Sequence, residues 1–206
     1  EEGRSKLQDL EQVYYGVQGS TTLRAAFPKE LVGKRDAPVD VVVALHAAGG
    51  SENMFFEAYG RGIAVSEAIK RGWVFIAPRN SRTAVQDAVD WLQDARGLKV
   101  RNLFVIGHSS GGGAALGSYE TKPAPTAFGL FAPALATVPQ SVFQAPIYLS
   151  IGKQDTGRLY GSASSIGREM GNRPTFRYQE FDPCEHLMLV AESIPGAYAF
   201  FEKISR

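Results

Sequence analysis

The chain has 206 residues, which suits one domain over 1–206 and leaves little room for a second. Its 22 basic and 21 acidic side chains are interspersed and leave a formal charge of +1, so no basic run implies nucleic acid or an anionic membrane surface as partner. The one cysteine, Cys184, excludes an internal disulfide and a cysteine-built metal centre, and no stretch reaches the ~20 apolar residues of a membrane span.

The opening EEGRSKLQDLEQ is charged and polar, without the pattern of a signal peptide and without an initiator Met. An exported mature form and a cytoplasmic form both remain open. Val13 to Val17 and Thr22 to Phe27 then predict a strand hairpin at a sheet edge. After a polar connection, Val39-Asp40-Val41-Val42-Val43-Ala44-Leu45 is a β-branched run of the kind that parallel sheets bury on both faces. A Gly-rich loop follows, then a predicted helix over 51–71, divided by Gly60 and Gly62. Trp73 to Ala77 predicts the next strand, stopped by Pro78. Over 83–96, Ala84, Val85, Ala88, Val89, Leu92 and Ala95 recur at helical spacing, and Gly97 ends the pattern.

Leu103 to Ile106 predicts a strand leading into another Gly-rich helix start. Phe128 to Ala132, Ile147 to Ile151 and Thr175 to Phe181 predict three more strands, and Ile194 to Ile204 a closing helix. Alternation of this kind predicts an α/β fold with a mostly parallel central sheet and helices on both faces. Chemistry in such a sheet collects at the carboxyl ends of the strands.

Gly107-His108-Ser109-Ser110-Gly111 reads G-x-S-x-G between a predicted strand and a predicted helix. A nucleophilic serine needs a sharp strand-to-helix turn, and small residues two before and two after let strand and helix pass closely. No lysine stands where a phosphate-binding loop needs one, which disfavours a phosphate cradle. The chain holds three histidines. His108 lies inside the turn and His46 closes the first long strand, so His186, in the loop after the last strand, is the candidate general base. Asp155, in Ile151-Gly152-Lys153-Gln154-Asp155, also follows a strand and is the candidate that orients the imidazole; Asp182 and Glu185 compete with it. Acyl transfer needs two donors aimed at the developing oxyanion. The Ser110 N–H is one candidate. Leu45-His46-Ala47-Ala48-Gly49-Gly50-Ser51 offers the other, at Ala48 or otherwise Ala47. Met54, Phe55, Tyr59 and Leu187 are candidate walls of a substrate pocket.

LHAAGGS, NMFFEAYG, RGWVFIAPR, GHSSGG, IGKQD and CEHL together give the chain a resemblance to the α/β-hydrolase superfamily. Within it the chain resembles compact bacterial esterases related to dienelactone hydrolases, polyhydroxyalkanoate depolymerases and the catalytic domains of prolyl oligopeptidases. The order nucleophile, acid, histidine also agrees. One departure is Ala47, where these relatives usually carry glycine. Another is the short segment 133–146, which leaves no room for a lid domain. The resemblance implies a serine carboxylesterase mechanism on small or polymeric esters, without metal or organic cofactor. Peptidase, thioesterase, lactonase and acyltransferase chemistry share the same constellation, and a non-catalytic binding scaffold shares the fold.

Overall fold

The computed structural model describes residues 11–205 other than residue 143; most of the charged opening segment lies outside them. Strands β1 (Glu11–Gln18) and β2 (Thr21–Pro28) pair antiparallel across a tight turn, where Gly19 takes a φ of 58°. β3 (Pro38–Leu45), β4 (Val74–Pro78), β5 (Lys99–His108), β6 (Ala127–Phe131), β7 (Ile147–Gly152) and β8 (Phe176–Phe181) are parallel to one another. The order across the eight-stranded sheet is β1-β2-β4-β3-β5-β6-β7-β8. The predicted hairpin therefore caps one edge, joined to β4 by antiparallel pairing.

Helices cover both faces. α2 (Ala84–Arg96) and α3 (Ser110–Gly117) share one apolar cluster, α1 (Ile63–Lys70) and α5 (Leu189–Ile204) share the other, and α4 (Gly157–Met170) feeds both, through Ile166 and Met170 on one side and Ala163 on the other. The β3 run feeds both: Val41, Val43 and Leu45 enter the first cluster, Val42 and Ala44 the second. That two-sided burial is why the run is rich in valine, each buried valine stabilising the fold by roughly 1.5–3 kcal/mol. Asp40 interrupts the run but is matched by Arg101, at 2.8 and 2.7 Å, and by the Asn102 amide at 2.8 Å.

Two expectations need revision, and one helix is new. The helix expected over 51–71 is a wide turn at Met54–Ala58, a short tight turn at Tyr59–Gly62, and only then α1. Gly60, Arg61 and Gly62 all have left-handed φ between 56° and 81°, which no continuous helix accommodates. No element is predicted from sequence over 157–170, where α4 stands; it is helical because Ala163, Ile166 and Met170 bury one stripe, with Gly167 lying against the Tyr178 ring. The closing helix begins at Leu189 rather than Ile194, since Pro195 is tolerated inside it. Between β6 and β7 the connection includes a short turn at Gln140–Val142, and the described residues form no separate lid domain. Among them no helix is long and apolar enough to cross a membrane.

Candidate active site

Ser109 is the hinge between β5 and α3, with φ 54° and ψ −119°. A non-glycine residue enters this region only when its surroundings over-determine it. Here they do. The Ser109 N–H donates to the Phe131 carbonyl at 2.9 Å, and its own carbonyl accepts from Gly112 and Ala134 at 3.0 and 2.9 Å. The two glycines of the motif have steric reasons. A Cβ on Gly107 would lie 2.2 Å from the Gly111 carbonyl oxygen, and one on Gly111 would lie 2.2 Å from that of Leu45. The first contact lets α3 fold back on β5; the second brings the turn against the end of β3.

Asp155 and His186 meet beyond β7 and β8. The His186 Nδ1–H donates to Asp155 Oδ2 at 2.7 Å, while Asp155 Oδ1 accepts the Thr156 N–H at 2.7 Å. The loops that carry them touch through backbone: Gln154 N–H donates to the Cys184 carbonyl at 3.1 Å, and a Cβ on Gly152 would sit 2.2 Å from that same oxygen. With Nδ1 protonated, His186 Nε2 is left as the basic nitrogen. Among the described residues, neither that nitrogen nor Ser109 Oγ takes a hydrogen-bond partner. The two competing carboxylates are placed elsewhere. Asp182 faces Lys153 at 3.1 Å, and Glu185 is exposed.

The loop after β3 is held from both sides. His46 Nε2 accepts the Asn80 N–H at 3.0 Å, and its Nδ1–H donates to the Ala47 carbonyl at 2.8 Å. Asn80 returns the clasp, its amide meeting the His46 carbonyl at 2.7 Å and its Oδ1 the His46 N–H at 3.2 Å. Sequence reasoning missed Asn80. Its one signal was position, two residues after the strand that neighbours β3. The Ala47 N–H donates to Tyr59 Oη at 3.3 Å, whereas the N–H groups of Ala48 and Ser110 have no partner among the described residues.

A cavity of about 580 Å³ opens beside Ser109, walled by Ala134, Leu135, Ala136, Thr156, Arg158, Leu159 and Ser162. That is within the range of small-molecule sites. None of the four expected pocket residues lines it. Phe55 and Tyr59 are 0% and 1% exposed, packed on each other and into the core, while Met54 is half-buried and Leu187 is 61% exposed. An aromatic stripe reports burial, and here it points inward. Among the described residues no three His, Cys, Asp or Glu side chains cluster as metal ligands would.

No protein-family model and no curated protein sequence matches the chain. Solved structures do. A dienelactone hydrolase from Anabaena variabilis superposes with a TM-score of 0.68 at 18% identity, over 95% of this chain and 99% of that one. Est1E from Butyrivibrio proteoclasticus gives 0.67 at 15%, over 93% and 98%. A ferulic acid esterase gives 0.74 at 11%, over 96% and 99%. The chain has the α/β-hydrolase fold.

Proposed function

We propose that the protein is a serine carboxylesterase in which Ser109 is the nucleophile, His186 the general base and Asp155 the group that orients it. The observation that carries this is the 2.7 Å bond from His186 Nδ1–H to the buried Asp155 carboxylate, at strand ends on the same sheet edge as the strained Ser109 turn. A scaffold that only binds a ligand needs neither the strain nor the oriented imidazole. The names of two structural neighbours, a ferulic acid esterase and a dienelactone hydrolase, support the same class.

The placement supports the following reaction. His186 Nε2 takes the Ser109 proton as Oγ attacks the ester carbonyl. The N–H groups of Ala48 and Ser110 receive the oxyanion. Ala48 is assigned over Ala47 because Tyr59 already occupies the Ala47 N–H. The alcohol leaves with the proton held by His186, and water repeats the sequence on the acyl-enzyme. Short- to medium-chain and aryl esters suit the cavity, whose Ala134, Leu135, Ala136 and Leu159 wall is apolar and uncovered by a lid.

The test is labelling with a fluorophosphonate, with the modified residue identified by mass spectrometry. A panel of aryl esters from acetate to decanoate, with a thioester, a lactone and a peptide, accompanies it. Label on Ser109 with ester turnover is expected. Intact, unlabelled protein that cleaves no member of the panel would sink the proposal, and faster cleavage of the thioester, lactone or peptide would reassign the substrate.

A further inference from the structure

Buried beneath the candidate site, and used by no step above, is a chain of polar groups. His108 is fully buried, its ring 4.4 Å from that of His186 and edge-on to Tyr59 at 5.0 Å. Its Nε2 lies 3.0 Å from the His186 carbonyl oxygen, its Nδ1 2.9 Å from Tyr59 Oη, and Tyr59 Oη 3.3 Å from the Ala47 nitrogen.

The protons on this chain are fixed by elimination. A carbonyl can only accept, so Nε2 carries the hydrogen. Burial, reinforced by the neighbouring His186, pushes the His108 pKa down to about 3, so the ring is neutral and Nδ1 is an acceptor. Tyr59, its own pKa raised by burial, therefore donates its hydroxyl hydrogen to Nδ1 and accepts the Ala47 N–H. Every bond points one way: Ala47 N–H to Tyr59, Tyr59 O–H to His108, His108 N–H to the His186 carbonyl. The two ends are the peptide preceding the Ala48 donor and the backbone of the candidate base. The middle is the residue next to Ser109.

We propose that Tyr59 and His108 are positioning residues that lock the oxyanion loop and the base loop to the nucleophile turn in one register. Neither touches substrate. The inference rests on the assignment of Ser109, His186 and Ala48 above. It explains why a histidine and a tyrosine occupy core positions where a purely packing role would be met by apolar rings, at no desolvation cost. It also explains how three segments distant in sequence hold a geometry that chemistry needs to within a fraction of an ångström.

The test compares wild type, Tyr59→Phe and His108→Gln in the full chain. The rate of Ser109 phosphonylation by the fluorophosphonate is measured per folded molecule, with aryl acetate turnover and a thermal melt. Tyr59→Phe removes the hydroxyl that links both neighbours. His108→Gln keeps an amide donor in reach of the His186 carbonyl but gives Tyr59 no ring nitrogen. Both variants are expected to slow phosphonylation and kcat by the same factor, ten-fold or more, with KM changed less than three-fold. A structural role alone would lower the melting midpoint and leave the rate per folded molecule at the wild-type value, and that result overturns the proposal. Should Tyr59→Phe not fold, the His108→Gln rate decides alone. Failure of the underlying site assignment reads differently, since wild type itself would then not be labelled at Ser109.

Discussion

Asp155 and His186, 2.7 Å apart, differ sharply in exposure: the carboxylate side chain is fully buried, while the imidazole is 30% exposed. A buried carboxylate facing one N–H of a part-exposed ring fixes which nitrogen keeps its lone pair. Asp155→Asn keeps the shape and the acceptor for the Thr156 N–H, but sets an amide N–H against His186 Nδ1. The ring then protonates on Nε2 and loses its basic nitrogen. The expected outcome is a fall in kcat of roughly 10⁴-fold with the melting midpoint nearly unchanged. Steady-state kinetics beside a thermal melt check it, and near wild-type turnover would remove Asp155 from the mechanism.

The Ser109 turn separates strain from chemistry. Ser109→Ala and Ser109→Gly both delete the hydroxyl, but only glycine accepts a φ of 54° without penalty. Strain of this type costs on the order of 1–3 kcal/mol, partly offset by the greater unfolded freedom of glycine. Ser109→Gly should therefore be more stable than Ser109→Ala by about 1 kcal/mol, both being inactive. Gly111→Ala should go the other way, losing about 3 kcal/mol or failing to fold, because its Cβ would meet the Leu45 carbonyl at 2.2 Å. Urea denaturation of the three variants reads both effects. Equal stability of the two serine variants would mean that the turn stores no strain.

Much of this was legible in the sequence because it is local. G-x-S-x-G encodes a close approach between residues 107 and 111, and the β-branched β3 run encodes burial on both faces. Asp155 and His186 could be placed because each follows a strand, and parallel strands bring such loops to one edge. What stayed hidden is through-space. Nothing in the spacing of Asn80 and His46, or of Tyr59 and His108, announces that their polar atoms meet. Phe55 and Tyr59 were expected at the pocket because they follow the Gly-rich loop after β3, yet position along the chain does not say which side of a turn faces the core. α4 was concealed by composition, its three glycines and three serines outweighing a stripe visible only once Tyr178 is known to pack on Gly167.

His108 makes a pH prediction with a definite sign. Its pKa is about 3 in the folded protein against 6.5 for an unperturbed histidine. Between those values the unfolded chain binds a proton that the folded one does not. His108 therefore subtracts stability progressively as pH falls from 6.5 toward 3, by about 1.4 kcal/mol per pH unit, and has no such effect above 6.5. Urea denaturation at pH 7 and pH 4.5 should show wild type losing up to about 3 kcal/mol more than His108→Gln over that interval. Parallel losses in the two proteins would mean that His108 is protonated in the folded state.

The cavity beside Ser109 predicts how acyl preference can be moved. Ala134 lines it, and its N–H is tied to the Ser109 carbonyl at 2.9 Å, so its backbone is anchored and a larger side chain would stand at the cavity wall. Ala134→Phe should leave aryl acetate turnover within about threefold of wild type. Turnover of the decanoate should fall more than about tenfold, which corresponds to roughly 1.4 kcal/mol of lost transition-state binding. Measuring kcat/KM across the acyl series checks this. A uniform loss at every chain length would mean that the substitution disturbs the Ser109 turn, and an unchanged profile would place the acyl chain outside this cavity.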